Sequence, residues 1–372
     1  MFRSERERRD TPLNRVERDF VIPAYYRYFS CKADACRNTC CNLSKTVSLE
    51  EYRNLVGLSC PEDIRRDLDA SFSLRKDADS YKYADMHQNY FGNCYMLDSD
   101  GLCRLQSACG EEVLPSLCRY FPRTVKFGPL PFCCCGNGCE RTLELLADPG
   151  IPDGFDRETL TFELPYGIPS SDPDDLGRRR ISLLCAEMMT VSGKTLFGRL
   201  DLIARLIRNT EPVPEDSLVM MEELRIILDY AGRQSAALTE FTEAALRLDN
   251  YRYYDIMLFK VPEKIYRAYP SFDRFLNRVL ANDILFRGFP SGDPKITPAR
   301  SFRVFYRMVY ALLMLISANL DRLAAAGTDG LIALFVEYFR LVELTDFDTA
   351  VLALIGDGDN GNDNGTDNNT AA

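Results

Sequence analysis

From residue 181 to residue 355, apolar side chains recur at three- and four-residue steps, the period of a helix with one buried face. "LLCAEMMTVSGKTLFGRLDLIARLIRN", "SLVMMEELRIILDYAGR" and "AALTEFTEAALRLDN" all carry this pattern. Between 302 and 320, Phe302, Phe305, Val309, Leu312, Leu313, Ile316 and Leu320 would share one helix face, which predicts a bundle core. Little two-residue alternation interrupts this half. Upstream, residues 148–180 hold the clusters "DPGIPDGFD" and "GIPSSDPDDLG", which predict a loop-rich linker. Residues 21–147 are rich in turn formers and short of long periodic stretches. One helix is expected near 48–57, where Ser48 and Glu51 form a capping-box pattern before "LEEYRNLV", and another just after Cys139, in "RTLELLA". Residues 1–20 predict a flexible arm, and 356–372, "GDGDNGNDNGTDNNTAA", a disordered tail. The fold class expected is mainly α: a small irregular cysteine-rich domain (21–147) followed by an α-helical domain (181–355).

Charge narrows the partners. The formal net charge is -10 over 372 residues, which argues against general nucleic-acid binding, since that needs a basic face. The longest apolar run, "VYALLMLI" (309–316), falls short of the ~20 residues that cross a bilayer. The N-terminus has no apolar h-region, and its six arginines are matched by five acids, so neither a secretory signal nor a transit peptide is expected. The expected compartment is the cytoplasm, with no membrane partner. His87 is the single histidine and stands in the polar stretch "ADMHQNY", which reads as a solvated residue. A literal GxGxxG runs from Gly356 to Gly361, but no helix can follow it, so it is not a dinucleotide fingerprint.

The cysteines change the picture most. Thirteen of the fourteen lie between Cys31 and Cys139; the other is Cys185. A disulfide framework is disfavoured in a reducing compartment, and the adjacent thiols Cys40–Cys41 and Cys133–Cys134–Cys135 suit it poorly. Structural zinc is one alternative: Cys36-x3-Cys40 and Cys135-x3-Cys139 could each supply a knuckle. An iron–sulfur cluster is the other, because a [4Fe–4S] cube takes soft thiolates from irregular, separated loops. The radical C-x3-C-x2-C signature is absent, since the cysteine after Cys40 is Cys41.

Two blocks then carry a resemblance. "PAYYRYFSCKADACRNTCC" has the form P-x-Y-Y-x-x-F-x-C, four residues, a cysteine, three residues and CC. "CYMLDSDGLCRLQSACGEEVLPSLCRYFPR" (94–123) combines C-x-x-L-D-x-D-G-L-C with G-E-x-x-L and C-R-x-x-P-R. Together with Cys139 before a helix, and with "NYRYYDIMLF" and "LANDILFRGFP" further on, they resemble the flagellin lysine-N-methylase family and its wider group of cysteine-cluster proteins. The likeness covers most of residues 21–345. It implies an S-adenosylmethionine-dependent methyltransferase acting on lysine ε-amines of flagellin or a similar surface filament protein, with an iron–sulfur cluster. Eight cysteines match family positions: Cys31, Cys36, Cys40, Cys41, Cys94, Cys103, Cys118 and Cys139. The chain departs from the family in lacking the tryptophan after the CC pair, in having Glu140 where a proline is common, and in carrying Cys133, Cys134 and Cys135.

Methyl transfer to lysine requires a neutral amine, an in-line sulfonium methyl and exclusion of water. Tyr25 and Tyr26, in "YYRYF", are the candidate wall or proton acceptor beside the amine; their alternative is core packing. Arg119 and Arg123 flank Cys118 and are candidates to bind the donor's carboxylate or to offset cluster charge; surface ion pairs are their alternative. Asp98 and Asp100 are expected to build the turn before Cys103. The rival reading is a non-enzymatic zinc- or iron-binding or redox-sensing protein of the same cysteine-cluster group.

Overall fold

The computed structural model describes residues 14–164, 175–208, 217–251, 253 and 263–356. Most of "NYRYYDIMLF", the first thirteen residues of the expected arm and residues 357–372 of the expected tail lie outside them. Strand β1 (Asn14–Pro23) buries Val16, Phe20 and Ile22 and turns Glu17 and Asp19 outward. Three short strands follow: β2 (Lys45–Val47), β3 (Phe72–Leu74) and β4 (Ala84–Met86), paired antiparallel in the order β2-β4-β3. Then come β5 (Arg123–Lys126), β6 (Phe132–Cys135) and β7 (Phe155–Leu164). β7 runs antiparallel to β1 along its whole length, from Asn14 opposite Leu164 to Pro23 opposite Phe155. β6 lies parallel to β1 on the other side, and β5 closes that edge, giving the order β5-β6-β1-β7.

This sheet corrects two expectations. Residues 14–20 are the start of β1, not part of a flexible arm, and residues 155–164 of the expected linker are β7. "FDRETLTFEL" does alternate through Leu160, Phe162 and Leu164. The Pro/Gly clusters on both sides obscured a strand whose pairing partner lies some 140 residues away.

Residues 45–114 build a small unit on β2–β4, with α1 (Leu49–Val56), α2 (Glu62–Ser71) and α3 (Arg104–Cys109). α1 starts at the expected capping box: Ser48 Oγ accepts from Glu51 N at 3.3 Å, and Ser48 N donates to Glu51 Oε2 at 2.8 Å. Its core of Val47, Leu55, Ile64, Leu68, Ala84, Met86, Met96 and Leu105 is separate from the main one. α4 (Ser116–Tyr120) is tied to it where Ser116 N donates to Glu51 Oε1 at 2.7 Å.

The remaining helices are α5 (Glu140–Ala147), α6 (Asp175–Thr190), α7 (Leu196–Arg208), α8 (Ser217–Gln234), α9 (Thr239–Leu246), α10 (Glu263–Ala268), α11 (Phe272–Arg287), α12 (Pro298–Ala318), α13 (Leu320–Leu344) and α14 (Phe347–Ile355). The mainly α expectation therefore holds. The expected self-contained cysteine domain does not appear. Phe20, Ile22, Cys133, Cys134, Cys135 and Leu143 belong to one continuous core with Leu224, Phe305 and Phe335 from the helices. The reason is that β6 and α5 pack on α11, so the cysteine-rich segment and the helical half bury each other's apolar faces.

α12 is buried on nearly every face, beyond the single stripe expected from the sequence. By length and composition it could cross a membrane, yet 83% of its apolar window is covered by the rest of the protein. Two of its arginines go inside with it. Arg307 Nε donates to Glu223 Oε2 of α8 at 2.7 Å, and Arg303 bonds the other oxygen of the same carboxylate and Gly356 O. All three side chains are at most 6% exposed. Glu223→Gln should therefore cost about 3–5 kcal/mol, because it strands two buried guanidinium groups. Replacing Glu223, Arg303 and Arg307 together by apolar residues of similar volume should cost less than the single change. Chemical denaturation of both variants tests the ordering.

Candidate metal centre

The segment from Cys31 to Asn42 has no strand or long helix to satisfy its backbone, only short 3-10 turns at Ala33–Ala35 and Cys40–Asn42. Two side chains from elsewhere hold it. Glu140, the first residue of α5, is fully buried. Asn38 donates to it from both N and Nδ2 at 2.8 Å, and Lys32 Nζ donates at 2.5 Å to Glu140 and 2.6 Å to Glu144. Burial alone would raise the Glu140 carboxyl; the Lys32 and Asn38 bonds outweigh it and bring the pKa down to about 2. Its anchoring is thus fully present above the ordinary carboxylate range and fades only as the pH falls toward about 2.

Arg340 of α13 is the second anchor. Its Nη2 donates to Asn38 O at 2.6 Å and Thr39 O at 3.0 Å, and its Nε to Gly138 O at 3.1 Å. Arg37 adds an ion pair to Asp329, just past the break in α13 at Gly327. Within the held segment, Ala33 has φ 49°, the one positive φ at a non-glycine position among the described residues.

The eight cysteines that match the family fall into two groups. Cys40, Cys41, Cys94 and Cys118 lie within electrostatic reach of Lys45, and Cys103 lies within reach of Cys41, Cys94 and Cys118. Cys94 N donates to Cys41 O at 2.7 Å, which fixes the two loops together. Lys45 is buried and donates to Leu43 O at 3.0 Å and Cys40 O at 3.3 Å. The second group is Cys31, Cys36 and Cys139: Cys36 lies within electrostatic reach of Glu140 and Cys139, and Cys139 within reach of Cys31.

Burial pushes the thiol pKa of Cys118 up to about 12 and raises those of Cys94 and Cys103. In the adjacent pair, a hydrogen bond from Cys40 to Cys41 raises Cys40 and lowers Cys41, and Lys45 lowers Cys41 further. Such a set suits a soft metal by its chemistry, and a cationic metal would release protons that burial otherwise holds on sulfur. Geometrically the set is open. Among the described residues, no three His, Cys, Asp or Glu side chains converge as they stand on a point that could hold a metal ion.

The other residues singled out from the sequence lie apart from these thiols or are already engaged. Tyr25 is buried; its hydroxyl meets Asn282 Oδ1 at 2.6 Å and accepts from Cys135 N at 2.9 Å, and burial raises its pKa. Tyr26 accepts a bond from Cys133 Sγ at 3.2 Å, and burial likewise raises it. Arg119 pairs with Glu163 of β7 at 2.8 Å, while Arg123 lies over the Phe29 ring at 4.8 Å and near that of Tyr26. Cys133, Cys134 and Cys135 form the buried strand β6, and His87 is exposed. Asp98 builds the expected turn, its Oδ1 accepting from Asp100 N at 2.9 Å and Leu102 N at 2.8 Å. Lys45, Glu140 as an anchor, and Arg340 escaped the sequence reading. Lys45 follows the CC pair by four residues, but nothing in the sequence marks it as buried.

Two Salmonella proteins named lysine-N-methylase, from S. choleraesuis strain SC-B67 and S. typhimurium strain LT2, are 32% and 34% identical to this chain over 103 residues. That stretch is 27% of this chain and 25% of theirs. A flagellar biosynthetic protein, FliU of S. muenchen, is 33% identical over 102 residues, 60% of its own length. The chain thus matches only about a quarter of the two lysine-N-methylases. No family model matches it, and no solved structure does.

Arg340→Lys keeps the charge but loses the planar fork that reaches three carbonyls at once. It should cost about 1–3 kcal/mol, speed amide exchange over residues 38–42, and raise the alkylation rate of Cys40 and Cys41 several-fold. Unchanged exchange and alkylation would show that the loop is held by other contacts.

Proposed function

We propose that this chain is a protein-lysine N-methyltransferase that uses S-adenosylmethionine, acts on flagellin or a similar surface filament protein, and carries an iron–sulfur cluster on its cysteines. The observation that carries the reading is the grouping of Cys40, Cys41, Cys94 and Cys118 around the buried Lys45, with Cys103 beside Cys41, Cys94 and Cys118. The names of the partial relatives point to the same class of reaction. Cys40, Cys41, Cys94, Cys103 and Cys118 would hold the cluster. When bound, it would supply a charged centre against which the methyl donor is oriented. Lys45 would offset part of the negative charge of an iron–thiolate group.

In the transfer itself, the neutral lysine amine attacks the sulfonium methyl carbon. The C–S bond breaks with its electron pair staying on sulfur, and the amine's extra proton leaves to solvent or a nearby acceptor. Arg119 remains the candidate for the donor's carboxylate. Its bond to the partly exposed Glu163 is of the weak, solvent-screened kind that a ligand carboxylate can displace.

One observation favours a second reading, a zinc- or iron-binding or redox-sensing protein without enzymatic activity. The shallow pocket at Tyr25, lined also by Asp153, Arg278 and Asn282, includes none of the eight cysteines. A sensor needs no donor-binding cleft beside its thiols.

Anaerobic purification with iron supplied, followed by metal and sulfide analysis, calorimetry with S-adenosylmethionine and methylation of purified flagellin read by mass spectrometry, separates these readings. The expected protein is brown, binds the donor and methylates. Cys118→Ala should lose iron and methylation together. Arg119→Ala should weaken donor binding by about one to two decades at unchanged iron content, the loss of one charge-assisted hydrogen bond. A colourless preparation with stoichiometric zinc would reject the iron–sulfur centre. A loaded protein without donor binding would point to the sensor.

A further inference from the structure

α4, the helix that carries Cys118, has five residues, far fewer than the ~12–15 at which a helix begins to hold itself together. Its position is therefore set by what grips its ends. At the first end, Ser116 N donates to Glu51 Oε1 at 2.7 Å, which ties α4 to the 45–114 unit. At the last, Tyr120 ties it to the four-stranded sheet of the main body. The Tyr120 hydroxyl donates to Glu163 O at 2.8 Å and accepts from Glu163 N at 3.0 Å. Its ring stands edge-on to the buried Phe162 at 5.6 Å, and Phe162 in turn stands edge-on to Phe20 at 5.5 Å.

β7 is an edge strand: among the described residues, no strand pairs with its outer side. The parity of the ladder fixes which groups face that side. Val21 N donates to Pro131 O at 2.9 Å, so the odd residues of β1 bond toward β6 and the even ones toward β7. Those even residues stand opposite even residues of β7, as Phe20 does opposite Glu158, and Ala24 N donates to Gly154 O one rung further on. The odd residues of β7 therefore turn N–H and C=O outward. Arg27 Nη2 reaches Arg157 O from that side at 3.3 Å, and Thr159 and Thr161 are exposed. Glu163 is the next odd position. There a single phenol both gives to the carbonyl and takes from the amide, the two bonds that a further strand would make.

We propose that Tyr120 is a positioning residue for the five-thiol group: its hydroxyl stands in for a neighbouring strand at Glu163 and so fixes Cys118, two residues before it on α4. The proposal rests on the metal-binding part of the function proposed above, and only for the use to which Cys118 is put. The second contact at the same place is weaker in kind. Arg119 and the Glu163 carboxylate are 21% and 44% exposed, so water screens their ion pair. The phenol instead binds the backbone of a strand that is paired with β1 along its whole length, a support that does not move with a side chain.

Tyr120→Phe keeps the ring against Phe162 and removes only the hydroxyl. In reduced, metal-free protein it should raise the alkylation rate of Cys118 about tenfold and leave those of Cys94 and Cys103 within about twofold, read thiol by thiol by mass spectrometry. A general loss of stability would speed all three together; that result, or an unchanged Cys118, overturns the proposal. Glu163→Ala removes the ion pair to Arg119 and keeps the backbone groups, so Cys118 should react as in the wild type. A rise equal to that of Tyr120→Phe would assign the hold to the ion pair and overturn the role of the hydroxyl. Anaerobic titration with Co²⁺, followed by thiolate-to-cobalt charge-transfer absorption, should show affinity about 10–100-fold weaker in Tyr120→Phe, and equal affinity would count against positioning. If the wild-type protein binds neither cobalt nor iron, the metal reading fails, and the alkylation rates still decide what Tyr120 does. Hydrogen exchange on the wild-type protein needs no variant. The Glu163 amide should exchange at least about tenfold more slowly than those of Thr159 and Thr161 on the same edge, and equal rates would overturn the proposal.

Discussion

A loop without regular structure must find partners for its backbone outside itself, and for the segment Cys31–Asn42 those partners are Glu140 and Arg340. The carboxylate takes the donors of Asn38, and the guanidinium takes the carbonyls of Asn38 and Thr39. Each anchor is buried, so each is worth more than the same contact at the surface and cannot be exchanged for water. The thiols at 36, 40 and 41 are positioned by these two groups. Because Glu140 opens α5 and Arg340 lies late in α13, the first cysteine block is ordered only when the helical half is folded around it.

This arrangement accounts for the single main core. A cysteine module that folded alone would bury its own apolar residues. Here only the 45–114 unit does so, and it contributes Cys94 and Cys103 from its edge. Cys40, Cys41 and Cys118 are brought to it by segments that belong to, or connect with, the main body. The five-thiol group therefore lies at a seam, where loops from two separately packed cores meet. Seams of this kind are where sites with several loop-borne ligands are commonly assembled.

Two of the three departures from the pattern this chain resembles acquire different meanings. Glu140, in place of a common proline, is the anchor of the first cysteine block, so that difference has a structural role in this chain. Cys133, Cys134 and Cys135 turn out to be a strand. Their side chains fill the core on both faces of the sheet, and the backbone of Cys135 is read by Tyr25 and Asn282. The tyrosines beside them are tied into that same network, which is the packing alternative that accompanied their catalytic reading.

Local signals were sufficient for part of this protein. The helices of the second half follow from a 3.6-residue repeat, the start of α1 from Ser48 and Glu51, the start of α5 from its position after Cys139, and the Asp98 turn from its aspartates, because each depends on neighbours within a few residues. Tertiary structure decided the rest. β1 and β7 lie where the sequence suggests an arm and a linker, since a strand is defined by a partner that can be far along the chain. The division of eight cysteines into five and three, the burial of Lys45, and the anchoring by Arg340 some 300 residues from the loop it holds all depend on long-range packing. Spacing along a chain fixes none of these, because it carries no information about which distant surface will cover a given side chain.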